Sequence, residues 1–275
     1  MKTLFSKSKW EMRDAPLEEF LQRVSCDGFD ASEIYLPWLA EDAPLCRYLH
    51  EELAMELIGQ ISTDGVTPDD HLRSLEENYL HALTFNPMKI VAHAGRDIFS
   101  FGENVRIFQR GCELTAAHGV QICFETHRSR ALFQLPAAQS YLKAVPDLRI
   151  TADFAHFTVV HASDLSDQAE RLAGLFHRVG HLHGRVGHSE GPQVPDPRAP
   201  EWAEWTARFT GWWKEIHRLA AVRGEEVFTI TPEFGPPPYM PTIPFENRPV
   251  ADPWEINVWM LDHLKKNLLI KSSTI

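Results

Sequence analysis

The chain has 275 residues, 44% hydrophobic and 24% charged, enough apolar material for one large core and a length at which a single (β/α)8 barrel forms. Its formal net charge of −11 repels phosphate backbones and anionic lipid surfaces, so no nucleic acid and no membrane is expected as a partner. Four cysteines (Cys26, Cys46, Cys112, Cys123) lack paired spacing and no apolar run reaches membrane-spanning length, so reduced thiols in a cytoplasmic protein are expected.

In chain order, short apolar or β-branched runs alternate with longer segments of helical period. A strand at 4–8, diluted by Lys7 and Lys9, precedes a helix at 16–24 that opens through Asp14-Ala15-Pro16. Strand 31–36 leads to helix 44–55, and strand 57–62 to helix 69–83, entered through Thr67-Pro68. Strand 90–93 precedes helix 104–117, which His118-Gly119 ends, and strand 120–125 precedes helix 131–144. The remaining pairs are 148–153 with 165–176, 179–185 with 201–223, and 227–233 with 253–269.

Eight such units predict an α/β chain of parallel strands, a (β/α)8 TIM barrel spanning 1–275 as one domain. The turn after the first strand, Lys9-Trp10-Glu11-Met12-Arg13, has no glycine, which disfavours an open doubly wound sheet. Two long loops, 188–200 and 234–252, follow the seventh and eighth strands, where barrel enzymes keep their sites. The second is stiffened by Pro236, Pro237, Pro238, Pro241, Pro244 and Pro249, and its Tyr239, Met240 and Phe245 are candidates for a lid or a subunit contact. In the helix at 201–223, Trp202, Trp205 and Trp213 form a stripe toward the barrel, with Trp212 expected at the surface.

Four successive strands end in side chains able to bind a metal: Glu125, Asp153, His183 and Glu233. One carboxylate at a strand end is as readily a helix cap or a solvated loop residue, so the set is the argument. Carboxylates gathered at a narrowing barrel mouth are costly to desolvate, and a shared cation holds them together. Three carboxylates and an imidazole suit one divalent ion, Mn²⁺, Mg²⁺ or Co²⁺ ahead of Zn²⁺. His181, His183 and Arg185 alternate, so they share a face; Arg185 is placed for a substrate oxygen and His181 for packing. His127 shares a face with Glu125 and is a candidate substrate contact or loop cap.

With Ile122-Cys-Phe-Glu125, Asp153-x-x-His156, Gly180-His-Leu-His183 and Thr229-Ile-Thr-Pro-Glu233, preceded by His93-Ala94-Gly95, the chain resembles the xylose isomerase-like barrel superfamily. It is similar within it to the D-tagatose and D-psicose 3-epimerases. The resemblance implies an ion on Glu125, Asp153, His183 and Glu233, and His156 on a substrate oxygen, with His93 beside it. It implies an isomerase or epimerase of keto-sugars acting through an enediolate, with Glu125 and Glu233 exchanging the proton. A small-molecule carbohydrate is then the partner, and a homo-oligomer a further expectation. Those epimerases carry an arginine six residues after the ligand histidine; here Ser189 stands there, with Arg185 or Arg198 as replacements.

Three rivals remain at this stage. A lyase resembling inosose dehydratase would share the proton abstraction and add a general acid, His156 or His127. A DNA-repair role like that of endonuclease IV lacks the extra histidines at the second and third strand ends. A non-catalytic sugar-binding barrel predicts a degraded quartet, and all four positions here are competent.

Overall fold

The alternation closes on itself. The structure, a computed structural model, describes residues 1–39 and 42–269. Eight strands, β1 (Lys2–Ser8), β2 (Ala31–Tyr35), β3 (Glu56–Ser62), β4 (Lys89–His93), β5 (Ile122–Glu125), β6 (Ile150–Ala152), β7 (Val179–His183) and β8 (Val227–Thr231), form a closed parallel barrel in sequential order. Lys2 to Phe5 of β1 pair with Val227 to Ile230 of β8 and complete the ring. Around it run α1 (Leu17–Cys26), α2 (Ala43–Glu52), α3 (Pro68–Leu83), α4 (Phe101–His118), α5 (Leu135–Ala144), α6 (Ala155–Val160), α7 (Ala169–Phe176), α8 (Ala203–Val222) and α9 (Pro253–Leu268).

Local chemistry sets the helix boundaries. Thr67 and Ser100 build capping boxes with Asp70 and Glu103, each side chain taking a backbone N–H that the first turn leaves unpaired. Gly119 ends α4 in the left-handed region, at φ 81°.

The strand period sorts the side chains. Phe124, Phe228 and Ile230 point outward and are buried under the helices; Phe124 meets Phe108 of α4 edge-on at 5.0 Å. The inward set is unusually polar. Ser6, Glu33, Lys89, Thr151, His181, Thr229 and Thr231 are all buried, and several bond across the lumen. Branched apolar layers usually fill a barrel of this type; here a hydrogen-bonded network does, held by the partners a buried polar group requires.

Four expectations change. Strand β6 stops before Asp153, and the turn that follows is a short helix, α6, whose first N–H, on Ala155, is accepted by Asp153 Oδ1 at 3.1 Å. Asp153, Arg185 and Glu233 therefore sit just past their strands rather than within them. The loop after β8 carries a small antiparallel pair, β9 (Thr242–Ile243) and β10 (Arg248–Pro249), and puts Phe245 fully into solvent, away from any lid role. Trp212 is half-buried against Phe154 and Phe209 rather than presented at the surface.

Candidate functional site

At the C-terminal mouth of the barrel, one ligand-type atom from each of Glu125, Asp153, His183 and Glu233 lies within 4.8 Å of all the others, and all four residues are buried. The strands place them: Glu125 ends β5, His183 ends β7, Asp153 follows β6 by one residue and Glu233 follows β8 by two. Glu233 is held by what comes after it. Asn257 of α9 grips both backbone groups of Phe234, and Gln193 grips both of Gly235, tying the two long loops together.

His183 is oriented from below. Its Nε2 donates to Glu33 Oε1 at 3.0 Å, while its Nδ1 faces Glu233 Oε2 at 3.0 Å and Glu125 Oε2 at 3.8 Å. Glu33 also accepts from His181 Nε2 at 3.2 Å and from Thr231; His181 Nδ1 is 2.7 Å from Thr229 Oγ1, which in turn accepts from Lys89 at 3.0 Å. The chain runs from Lys89 at the start of β4 up to the mouth. Burial alone would raise the Glu33 carboxyl, but His183 and His181 outweigh it and hold it well below the carboxylate range. Burial alone would lower His183, yet Glu233, Glu33 and Glu125 lift it well above the ordinary histidine value.

This donor set fits a divalent cation. His183 Nδ1 and Glu233 Oε2 are buried and, although 3.0 Å apart, neither makes a hydrogen bond of acceptable geometry. Two orphaned atoms beside two further carboxylates, with one imidazole fixed through its other nitrogen, is the pattern of a histidine ligand braced by a carboxylate.

Arg185 bonds Asp153 Oδ2, approaches Glu233 Oε2 at 3.6 Å and lies 3.1 Å from His156 Nε2. Burial, with Glu233 and Glu125 adding to it, pushes Asp153 up to about 7 against the pull of Arg185. His156 is fully buried behind Arg185 and His127, whose ring lies 4.0 Å from its own, and it does not line the cavity. The expected substrate contact at His156 is therefore screened by these two neighbours. His127 does line the cavity; burial and the neighbouring His93 push it down to about 3, so it is neutral. His93 also lines the cavity, with Nε2 on Glu125 Oε2. Burial would raise Glu125, but His93 and His183 hold it below the carboxylate range. Arg198, considered as a replacement for the arginine absent at Ser189, is tied to Asp196 and does not reach the mouth.

The cavity over this set measures about 310 Å³. Glu125 and Glu233 open onto it, whereas Asp153 and His183 lie behind its wall. Trp10, Tyr35, Trp38 and Tyr239 supply aromatic faces, and Ser8, Gln60, Ser62, Arg130 and Arg185 polar ones. Tyr239 is clamped between Arg185 and Arg128, whose guanidinium carbons lie 4.7 and 4.9 Å from its ring, and meets Trp10 edge-on at 4.9 Å. Gly235 makes this possible, because a Cβ there would run into the Trp10 ring. Of the anticipated lid residues, Tyr239 reaches the cavity and Met240 is buried beneath it.

Sequence reasoning missed Glu33, Trp10 and Arg130. A charge inside Ala31-Ser-Glu-Ile-Tyr35 was the available signal for Glu33; Trp10 opens a single 3-10 turn and Arg130 sits in a loop, neither with a periodicity to place it.

No family model and no curated protein matches the chain. Solved structures do. A xylose isomerase domain containing protein of Salmonella typhimurium LT2 matches with a TM-score of 0.64 at 15% identity, covering 98% of this chain and 98% of its own. The 3-keto-D-glucoside 4-epimerase of E. coli gives 0.63 at 13% identity over 96% and 100%. A probable 3-DHS dehydratase of Bacillus anthracis gives 0.58 at 18% identity over 85% and 93%. Endonuclease IV shares the architecture as well. At identities this low the likeness is one of fold: the chain has the architecture of the xylose isomerase-like TIM barrels.

Proposed function

We propose that this barrel is a divalent-metal-dependent isomerase or epimerase of a keto-sugar or polyol-derived ketone. The observation that carries the reading is the division of the quartet: four ligand-type atoms converge within 4.8 Å, and of the four residues Glu125 and Glu233 are the ones that reach the cavity. A bound ion would supply Lewis acidity beside the substrate carbonyl. Glu125, Asp153, His183 and Glu233 would hold it. One of the two cavity carboxylates takes a proton from the carbon next to the carbonyl, leaving an enediolate, and the other returns a proton to the opposite face. Glu125, kept ionised by His93 and His183, is suited to accept a proton at neutral pH. Trp10, Trp38 and Tyr239 offer faces for a sugar ring and keep water from the reacting carbon.

The lyase alternative needs an acid facing a leaving hydroxyl. His127 is held neutral and His156 has no face on the cavity, so neither candidate for that acid favours elimination. The aromatic pocket of about 310 Å³ and the net charge of −11 favour a small molecule over abasic DNA. The test is to follow Mn²⁺-loaded protein with a panel of ketohexoses and inososes by proton NMR. New epimer or aldose resonances are expected; vinylic signals from water loss would move the assignment to the lyase, and no turnover of any substrate would overturn both.

A further inference from the structure

The Arg130 guanidinium lines the same cavity and is fixed in place. Its Nη1 donates to the Thr63 carbonyl at 3.1 Å, and Thr63 is itself held: its N–H donates to the His93 carbonyl, and its hydroxyl accepts the Gly95 N–H and lies 2.6 Å from His71 Nδ1. Arg130 follows β5 and Thr63 follows β3, the strand opposite β7 in the ring, so the guanidinium is anchored at the β3 end of the mouth. The other cavity arginine, Arg185, is matched by Asp153. Arg130 is not: among the described residues no carboxylate comes within 4.0 Å of it, in a chain where 38 acidic side chains outnumber 27 basic ones. Burial lowers its proton affinity and Arg96 adds to this, against the smaller pull of Glu125 and Asp64, neither of which pairs with it. An unpaired guanidinium that lines a pocket and is pinned to a backbone carbonyl is placed to receive an anion rather than to make a structural ion pair.

We propose that the substrate of this site is an acid, carrying an oxyanion (a carboxylate or a phosphate) at the end remote from the reacting carbon, and that Arg130 receives it. This rests on reading the cavity as the substrate site of the proposed isomerase. Beside it on β2 and β3, Gln60, Ser62 and Tyr35, whose hydroxyl is 2.7 Å from Ser62 Oγ, are left to bind the hydroxyls between the two ends.

The test is binding, read by calorimetry on Mn²⁺-loaded protein with D-fructose, D-fructuronate and D-fructose 6-phosphate. At least one acid is expected to bind tenfold or more tightly than the neutral ketose, and the acid that gains identifies carboxylate or phosphate. Arg130→Gln should bring that ratio to within twofold of one, while Arg130→Lys, which keeps the charge, should retain part of it. Equal affinities for all three, no binding of any, or a preference that survives Arg130→Gln overturns the proposal. Because the readout is binding, selective capture of an acid without proton transfer refutes the isomerase reading and leaves the Arg130 assignment standing. Turnover of ketoses with no preference for the acids does the reverse.

Discussion

At the scale of single residues, the candidate site is organised by Glu33, which is buried and does not line the cavity. By accepting from His183 Nε2 it turns Nδ1 toward Glu125 and Glu233, and His181 and Thr231 hold the carboxylate in place in turn. Such bracing of a ligand histidine typically contributes ten- to hundredfold in metal affinity. Glu33→Gln is therefore expected to weaken Mn²⁺ binding by ~10–100-fold in calorimetric titration with the fold intact by circular dichroism; unchanged affinity would remove Glu33 from the site. The quartet was legible in the sequence because each member ends an apolar run. Glu33 was not, because a carboxylate midway along a strand ordinarily signals a solvated face, and only the closed barrel brings β2 across from β7. The D-x-x-H histidine shows the opposite failure: His156 has the right spacing, but Arg185 and His127 stand between it and the cavity.

At the scale of elements, period-two patterning gives both walls of each strand their partners. Phe124 leaves the lumen to Glu125 and packs against Phe108 and Gly111, where a Cβ would strike its ring. Phe124→Ala should cost ~3–5 kcal/mol in urea unfolding, and a loss under 1 kcal/mol would mean that the outer layer is loosely packed. Ser100→Ala, which removes half of a capping box at the exposed start of α4, should cost only ~1 kcal/mol. All eight strands were legible to within two residues at most ends, since alternation and turn residues bound them. Helix α6 was hidden, because six residues are too few for a period and Asp153 serves at once as candidate ligand and turn acceptor. The small β9–β10 pair was hidden by its prolines.

At the scale of the whole molecule, the polar lumen makes stability and metal loading both rise with pH, through different groups. Burial holds His127, His156 and His181 below the ordinary histidine value. Below about pH 6.5 the unfolded chain therefore takes protons that the fold refuses, and these groups cost stability as the pH falls. On the proposed assignment, metal loading would depend on protons that must leave: Asp153 is raised to about 7, and His183, also raised, would have to free Nδ1. The Mn²⁺-induced rise in Tm should accordingly grow from pH 6 to pH 8; a rise that is flat or shrinks with pH would contradict the assignment of these two residues. The central claim is that this mouth moves a carbon-bound proton with the help of an ion, and the most direct measurement is exchange of solvent deuterium into the ketose panel. The account predicts deuterium at the carbon beside the carbonyl with Mn²⁺-loaded protein, none after chelation, and a fall of ~10²–10⁴-fold in Glu233→Gln. Equal exchange by chelated and loaded protein, or none with any ion, would contradict it.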